Sequence, residues 1–149
     1  YIAAGKVRFE EVPVAKGTIH TAFFSPDAAD RRTAIVMAHG LGAGLAFFYK
    51  NYTSLVTSSP HPVIAFDWLG MGRSSRPPFP QHPPNPVPDV LAFFTDSLEE
   101  WRAALGIERM ILIGHSLGGY LAAIYALQRP SRVAALILSS PVGLPIPEA

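Results

Sequence analysis

Four short runs of this chain are apolar on consecutive residues: Ala34 to Ala38, Val63 to Phe66, Met110 to Ile113 and Ala134 to Leu138. A strand with one face in water alternates apolar and polar side chains, so unbroken apolar runs predict central strands covered on both faces of a parallel sheet. The third run leads straight into Gly114-His115-Ser116-Leu117-Gly118-Gly119 and then an alanine-rich segment that Pro130 closes. Strand, tight turn and helix in that order hold a nucleophilic serine out at the edge of a sheet.

Helical patterns separate the strands. Leu98, Trp101, Arg102 and Leu105 recur at i, i+3, i+4 and i+7 within Asp96 to Leu105, and Gly106 follows as a stop signal, which predicts an amphipathic helix. A second helix is expected over Ser116 to Gln128, with Leu117, Leu121, Ile124 and Leu127 on one stripe and small Ala122, Ala123 and Ala126 permitting close approach to the sheet. Upstream, the β-rich segments Lys6 to Val14 and Thr18 to Phe24 flank Ala15-Lys16-Gly17, which suits a three-residue hairpin turn. Residues 77 to 88 hold seven prolines and are read as neither helix nor central strand but a stiff surface loop, either a plain connector or a wall of a substrate pocket. The pattern is α/β: a mostly parallel sheet flanked by helices, preceded by an antiparallel hairpin.

At 149 residues with 49% hydrophobic content, the chain is long enough for one domain with a real core. A net charge of +1 without a Lys/Arg block argues against nucleic-acid partners. The absence of cysteine excludes disulfides, thiolate metal sites and a cysteine nucleophile, and leaves the compartment open. No apolar run approaches the ~18 to 20 residues needed to span a bilayer, so a soluble chain is expected.

A serine hydroxyl attacks well only when a base takes its proton and hydrogen-bond donors stabilise the oxyanion. In a strand-to-helix elbow the serine is forced toward positive φ, and the residues two before and two after it pack too tightly for a Cβ. Gly114 and Gly118 occupy those places around Ser116, and the backbone N–H of Leu117 is the first expected oxyanion donor. The second is expected from Leu41, because His39-Gly40-Leu41-Gly42-Ala43-Gly44 directly follows the run ending at Ala38, and glycines on either side let the amide turn toward the pocket.

His115 projects away from its neighbour's hydroxyl and is read as packing or hydrogen-bonding below the site. His39 is expected to pin the oxyanion loop through a side-chain hydrogen bond. The Asp67-Trp68-Leu69-Gly70-Met71-Gly72-Arg73-Ser74 run reads as a turn organised by an aspartate that accepts backbone N–H bonds, so Asp67 is architecture. Leu45 stands where a dinucleotide fingerprint needs its third glycine, and no Gly-Lys-Ser/Thr phosphate loop exists. The histidines at 20, 39, 61, 82 and 115 lack metal-ligand spacing, so neither a cofactor nor a metal is expected.

With these motifs assembled, the chain resembles the α/β-hydrolase superfamily along nearly its whole length. His39-Gly40-Leu41-Gly42, Asp67 through Pro77, Gly114 through Gly119 and Ser140-Pro141-Val142-Gly143-Leu144-Pro145 are similar to the branch of lysophospholipase and N-acyl-phospholipid hydrolases, the cardiolipin-specific deacylase and a lipid-droplet lipase coactivator. The resemblance implies an α/β-hydrolase fold, Ser116 as nucleophile, and Leu41 and Leu117 as oxyanion donors. It also implies a lipid or acyl-ester substrate, most closely a phospholipid, and peripheral contact with a membrane, and it leaves the compartment, cytoplasm or mitochondria, open. It leaves the oligomeric state open.

The resemblance further implies an acid and then a histidine after the serine, in chain order Ser, Asp, His. Residues 117 to 149 contain no histidine and no aspartate, and their one acid is Glu148. The expectation is therefore that residues 1 to 149 form the N-terminal portion of a single longer hydrolase domain, inactive alone and prone to aggregate through the apolar edge of its last strand. Some members of the branch carry a His-x4-Asp acyltransferase motif, which none of the five histidines here begins. Two alternatives remain: a non-catalytic coactivator or lipid-binding module of the same fold, and a hydrolase of small soluble esters.

Overall fold

The computed structural model describes residues 7–24, 32–79, 84 and 86–143. Six strands form one sheet in the order β1-β2-β4-β3-β5-β6, where β1 is Arg8–Val14, β2 Gly17–Phe23, β3 Thr33–Ala38, β4 Val63–Phe66, β5 Arg109–His115 and β6 Val133–Ser139. β1 pairs antiparallel with β2 and β2 antiparallel with β4, while β4, β3, β5 and β6 run parallel. The sheet is thus a parallel core with an antiparallel hairpin on one side, as the residue pattern predicts and as the resemblance to the α/β-hydrolase superfamily implies.

The unbroken apolar runs reflect burial on both faces. Val36, Ala38, Ile64, Phe66 and Leu112 belong to one core, together with Leu98 and Trp101 of α2 (Pro86–Ala104) and Leu121 and Tyr125 of α3 (Leu117–Gln128). Their strand neighbours Ile35, Met37, Val63 and Ala65 belong to a second core on the opposite face, under Tyr52, Leu55 and Val56 of α1 (Tyr52–Ser58). Because β3 lies between β4 and β5, the chain leaves it toward one side first and returns across it to the other. Ligands of open α/β sheets sit at such a switch point, outside the carboxyl ends of the strands.

Several local expectations change. The Val14–Gly17 pairing leaves only Ala15 and Lys16 in the turn, because Gly17, at φ 142°, already belongs to β2. α2 begins at Pro86, inside the proline-rich stretch. The first-turn amides of a helix have no intrahelical partner, so Pro86 and Pro88 remove no hydrogen bond there and their φ suits the helix. On α3 the buried residues are Gly118, Gly119, Leu121, Ala122 and Tyr125, and Leu127 points to solvent. Leu121 and Ala122 face the sheet as expected, and Gly118 and Gly119 join them because the start of the helix needs close approach. β6 is an edge of the described sheet with Leu136 and Ile137 exposed, the apolar edge expected of the last strand.

Candidate active site

The carboxyl ends of β3, β4, β5 and β6 carry four loops onto one edge of the sheet. Ser116 follows β5 and caps α3 with φ 53° and ψ −121°, a conformation L residues adopt at a cost of roughly 1–3 kcal/mol. The surroundings over-determine it. The Ser116 N–H bonds the Ser139 carbonyl at 3.1 Å, and its own carbonyl accepts from Gly119 at 3.0 Å, Tyr120 at 3.1 Å and Val142 at 3.3 Å.

The flanking glycines are required by close approach. A Cβ on Gly114 would lie 2.5 Å from the Gly118 carbonyl oxygen, and one on Gly118 would lie 2.4 Å from those of Ala38 and His39. Both obstacles are backbone and cannot move aside. Through Gly118 the start of α3 is pressed against the end of β3, which brings the serine elbow and the His39–Gly44 loop together. On that loop a Cβ at Gly40 would come 2.9 Å from the Ser116 Cβ. Leu41 follows at once, 76% exposed, before Gly42 turns the chain at φ 69°. Among the described residues, no hydrogen bond occupies the N–H of Leu41 or of Leu117.

Buried polar groups hold the loop from below. His39 Nδ1 donates to the Gly40 carbonyl at 2.8 Å, and Nε2 accepts the Trp68 N–H at 3.1 Å, which fixes a neutral imidazole in one tautomer. Burial lowers its pKa, outweighing the Gly40 hydrogen bond and the Asp67 charge that act the other way. The Trp68 indole N–H closes the link by donating to the His39 carbonyl at 2.9 Å. Asp67 accepts the Leu45 N–H at 2.6 Å on one oxygen and the Arg73 N–H at 2.8 Å on the other. Gly72, at φ 52°, is pressed against that carboxylate, where a Cβ would come 2.3 Å from its Cγ. The pinning of the loop by His39 and the turn-organising role of Asp67 match the sequence reading. The reach of Asp67 across to Leu45 does not follow from spacing alone.

His115 packs as expected, its ring stacked on Phe47 at 4.9 Å and 25°. Its buried Nδ1 has no hydrogen-bond partner among the described residues, so packing and not hydrogen bonding defines its place. Phe47 was not among the sequence candidates; it sits on a 3-10 turn, Leu45–Phe48, directly after the glycine-rich loop. The loop after β6 also contributes unforeseen geometry. Ser140 adopts φ 44°, and Pro141 packs so closely on Gly119 that a Cβ there would come within 2.9 Å of it.

The family model for the α/β-hydrolase fold matches residues 33–149. The chain is 47% identical over 137 residues to the 1-acylglycerol-3-phosphate O-acyltransferase ABHD5 of Homo sapiens, covering 91% of this chain and 37% of that protein. It is 45% identical over 128 residues to the (lyso)-N-acylphosphatidylethanolamine lipase of Homo sapiens, covering 86% and 35% respectively. The chain thus spans little more than a third of the length of these relatives. Among solved structures, a membrane phospholipase A superposes with a TM-score of 0.76 at 24% identity over 97% of this chain and 43% of that one. A haloalkane dehalogenase from Agrobacterium tumefaciens C58 gives 0.72 at 22% over 93% and 42%. These two likenesses are of fold. The chain belongs to the α/β-hydrolase family and groups within it with the acyltransferase and lipase relatives.

Proposed function

We propose that this chain carries the nucleophile and oxyanion hole of a serine hydrolase or acyltransferase that acts on acyl esters of lipids, most closely phospholipids. The observation that carries the reading is Ser116, held at positive φ between strand and helix with the Gly40 backbone against its Cβ. In this mechanism the Ser116 hydroxyl attacks the ester carbonyl, its proton passes to a base, and the oxyanion is received by the N–H groups of Leu41 and Leu117. The amino end of α3, which begins at Leu117, adds its positive dipole end to that stabilisation. Collapse of the tetrahedral intermediate expels the alcohol, which takes up the proton, and leaves an acyl-enzyme. Water or a lipid hydroxyl then attacks that ester, giving hydrolysis or acyl transfer. The base and its acid come, in this reading, from chain beyond residue 149.

The names of the two relatives support the lipid substrate, one being an acyltransferase on acylglycerol phosphate and the other a lipase on an acylated phosphatidylethanolamine. The test is labelling of the full-length protein with a fluorophosphonate, followed by a fatty-acid-release assay on a phospholipid extract. Labelling at Ser116 that Ser116→Ala abolishes, together with fatty-acid release, supports the reading. An intact, folded protein that no fluorophosphonate labels would favour the coactivator alternative. Labelling with activity confined to short soluble esters would favour the third.

A further inference from the structure

The face of the sheet opposite α2 and α3 carries a groove separate from the serine elbow. Its volume is about 610 Å³, within the ~300–1,000 Å³ of small-molecule sites. One bank comes from the first hairpin and is made of Val7, Phe9 and Phe24. Phe9 stands opposite Ala22 in the pairing of β1 with β2, and Ala22 and Phe24 belong to the second core, which fixes the side of the sheet. The other bank is the 3-10 turn and the start of α1, with Leu45, Tyr49 and Tyr52. Among the described residues, neither Ser116 nor His115 nor Gly40 lines it.

The groove has a firm floor and an open rim. Phe24 and Tyr52 are buried and stack at 3.6 Å and 16°, and the Tyr52 hydroxyl donates to the Leu45 carbonyl, so the floor pairs its polar groups within itself. Phe9 and Tyr49 rise from the two banks, 56% and 68% exposed. Large apolar surfaces left in water along a concavity gain free energy from every methylene laid between them.

Charge narrows the occupant. Lys50 is the one charged side chain among the described lining residues; its ammonium lies 5.7 Å from the centre of the Tyr49 ring, and no carboxylate lines the groove. Thr53, three residues later, adds a hydroxyl. A neutral lipid would gain nothing from the lysine, and a polyphosphate would need more cations than one. An apolar chain ending in a single negative charge uses both the aromatic banks and the ammonium.

We infer that this groove binds a long-chain fatty acid anion, with the alkyl chain between Phe9 and Tyr49 and the carboxylate on the Lys50 ammonium. The site stands apart from the chemistry of Ser116, although a fatty acid is also what the proposed hydrolysis releases.

The experiment irradiates the full-length protein with a dodecanoate analogue that carries a diazirine in its chain, and maps the adducts by peptide mass spectrometry. Saturable labelling within residues 7–9 or 45–53, displaced by dodecanoate, is expected. Dodecanol, with the same chain and no charge, should need a roughly tenfold higher concentration, because a hydrogen bond to a charged group is the stronger one. Lys50→Gln should erase that difference and Lys50→Arg should keep it, while Tyr49→Ala weakens displacement by both competitors; both side chains are exposed, so none of these changes opens the core. Labelling that lies outside the groove, that does not saturate, or that dodecanol displaces as well as dodecanoate overturns the inference. Adducts confined to the peptide that holds Ser116 overturn it too, since the fatty acid would then sit at the serine only. The role of Ser116 is read separately, by its fluorophosphonate labelling.

Discussion

The Asp67 carboxylate, which lies after β4, takes the backbone N–H of Leu45, which lies after β3, at 2.6 Å. Its second oxygen takes Arg73 N–H at 2.8 Å, so one buried side chain joins two loops that border the serine elbow. A carboxylate suits this position because it accepts on both oxygens at once.

Asp67→Ala would strand the amides of Leu45 and Arg73, at a cost of ~1–3 kcal/mol each. Asp67→Asn keeps one acceptor oxygen and should cost about half as much. Urea denaturation of the full-length protein checks the order wild type, Asn, Ala. Fluorophosphonate labelling should fall in the same order, since the loop that carries Leu41 loses its anchor. Unchanged stability in Asp67→Ala would show that the two amides find other partners.

Gly118 and Gly42 separate two reasons for glycine. An alanine at 118 meets the Ala38 and His39 carbonyl oxygens at 2.4 Å, so the elbow helix must lift off β3. At Gly42 a Cβ meets nothing within 4 Å, and only the positive φ of 69° opposes it. Gly42→Ala is expected to cost roughly 1–2 kcal/mol. Gly118→Ala should prevent folding or cost several times more, because backbone at that distance cannot yield. Expression and melting of the two variants side by side decide this, and equal losses would contradict the packing argument.

Strand positions were legible because burial on both faces leaves consecutive apolar residues, and Val63–Phe66 appears in the structure with the limits its pattern predicts. The elbow was legible because chemistry and sterics confine Gly114, Ser116 and Gly118 to a narrow set of residue types. The start of α2 was hidden because prolines are excluded from helix interiors but not from a first turn. The α3 stripe was legible in Leu121 and Ala122 but not in full, because Leu127 faces solvent and Gly118 and Gly119, which the close approach requires, carry no hydrophobic signal. Phe47 gave no periodic signal: a single aromatic in a loop gains meaning only from the His115 ring it covers, 68 positions later in the chain.

Ser116→Gly should make the protein more stable and chemically silent. Glycine adopts φ 53° without the strain that a Cβ brings, and that strain is about 1–3 kcal/mol. Ser116→Ala keeps the Cβ and should melt close to the wild type. Both lose labelling. A glycine variant that melts no higher than the alanine variant would show that the elbow stores no strain at this residue.

Stability should fall on acidification in two windows that different residues control. His39 is held neutral, with its pKa lowered from the ordinary 6.5 by burial, and its Nε2 must stay unprotonated to accept the Trp68 N–H. Below 6.5 the unfolded chain takes up a proton that the folded chain refuses, so the His39 contribution present above that pH is lost as pH falls. Glu99 follows the same direction lower down. Hydrogen bonds from Arg102 pull its pKa from 4.5 to about 2, helped by the Tyr125 hydroxyl and the nearby Arg102 and Arg132 charges, against the opposing effect of burial. Its contribution is complete above 4.5 and disappears as pH falls toward 2, amounting to roughly 1–2 kcal/mol once solvent screening is allowed for. In Glu99→Gln the second loss should shrink by that amount while the first persists. Urea titrations of both proteins from pH 8 to pH 2.5 measure this, and identical acid limbs would show that the Glu99 bridge between α2 and α3 adds nothing to the folded state.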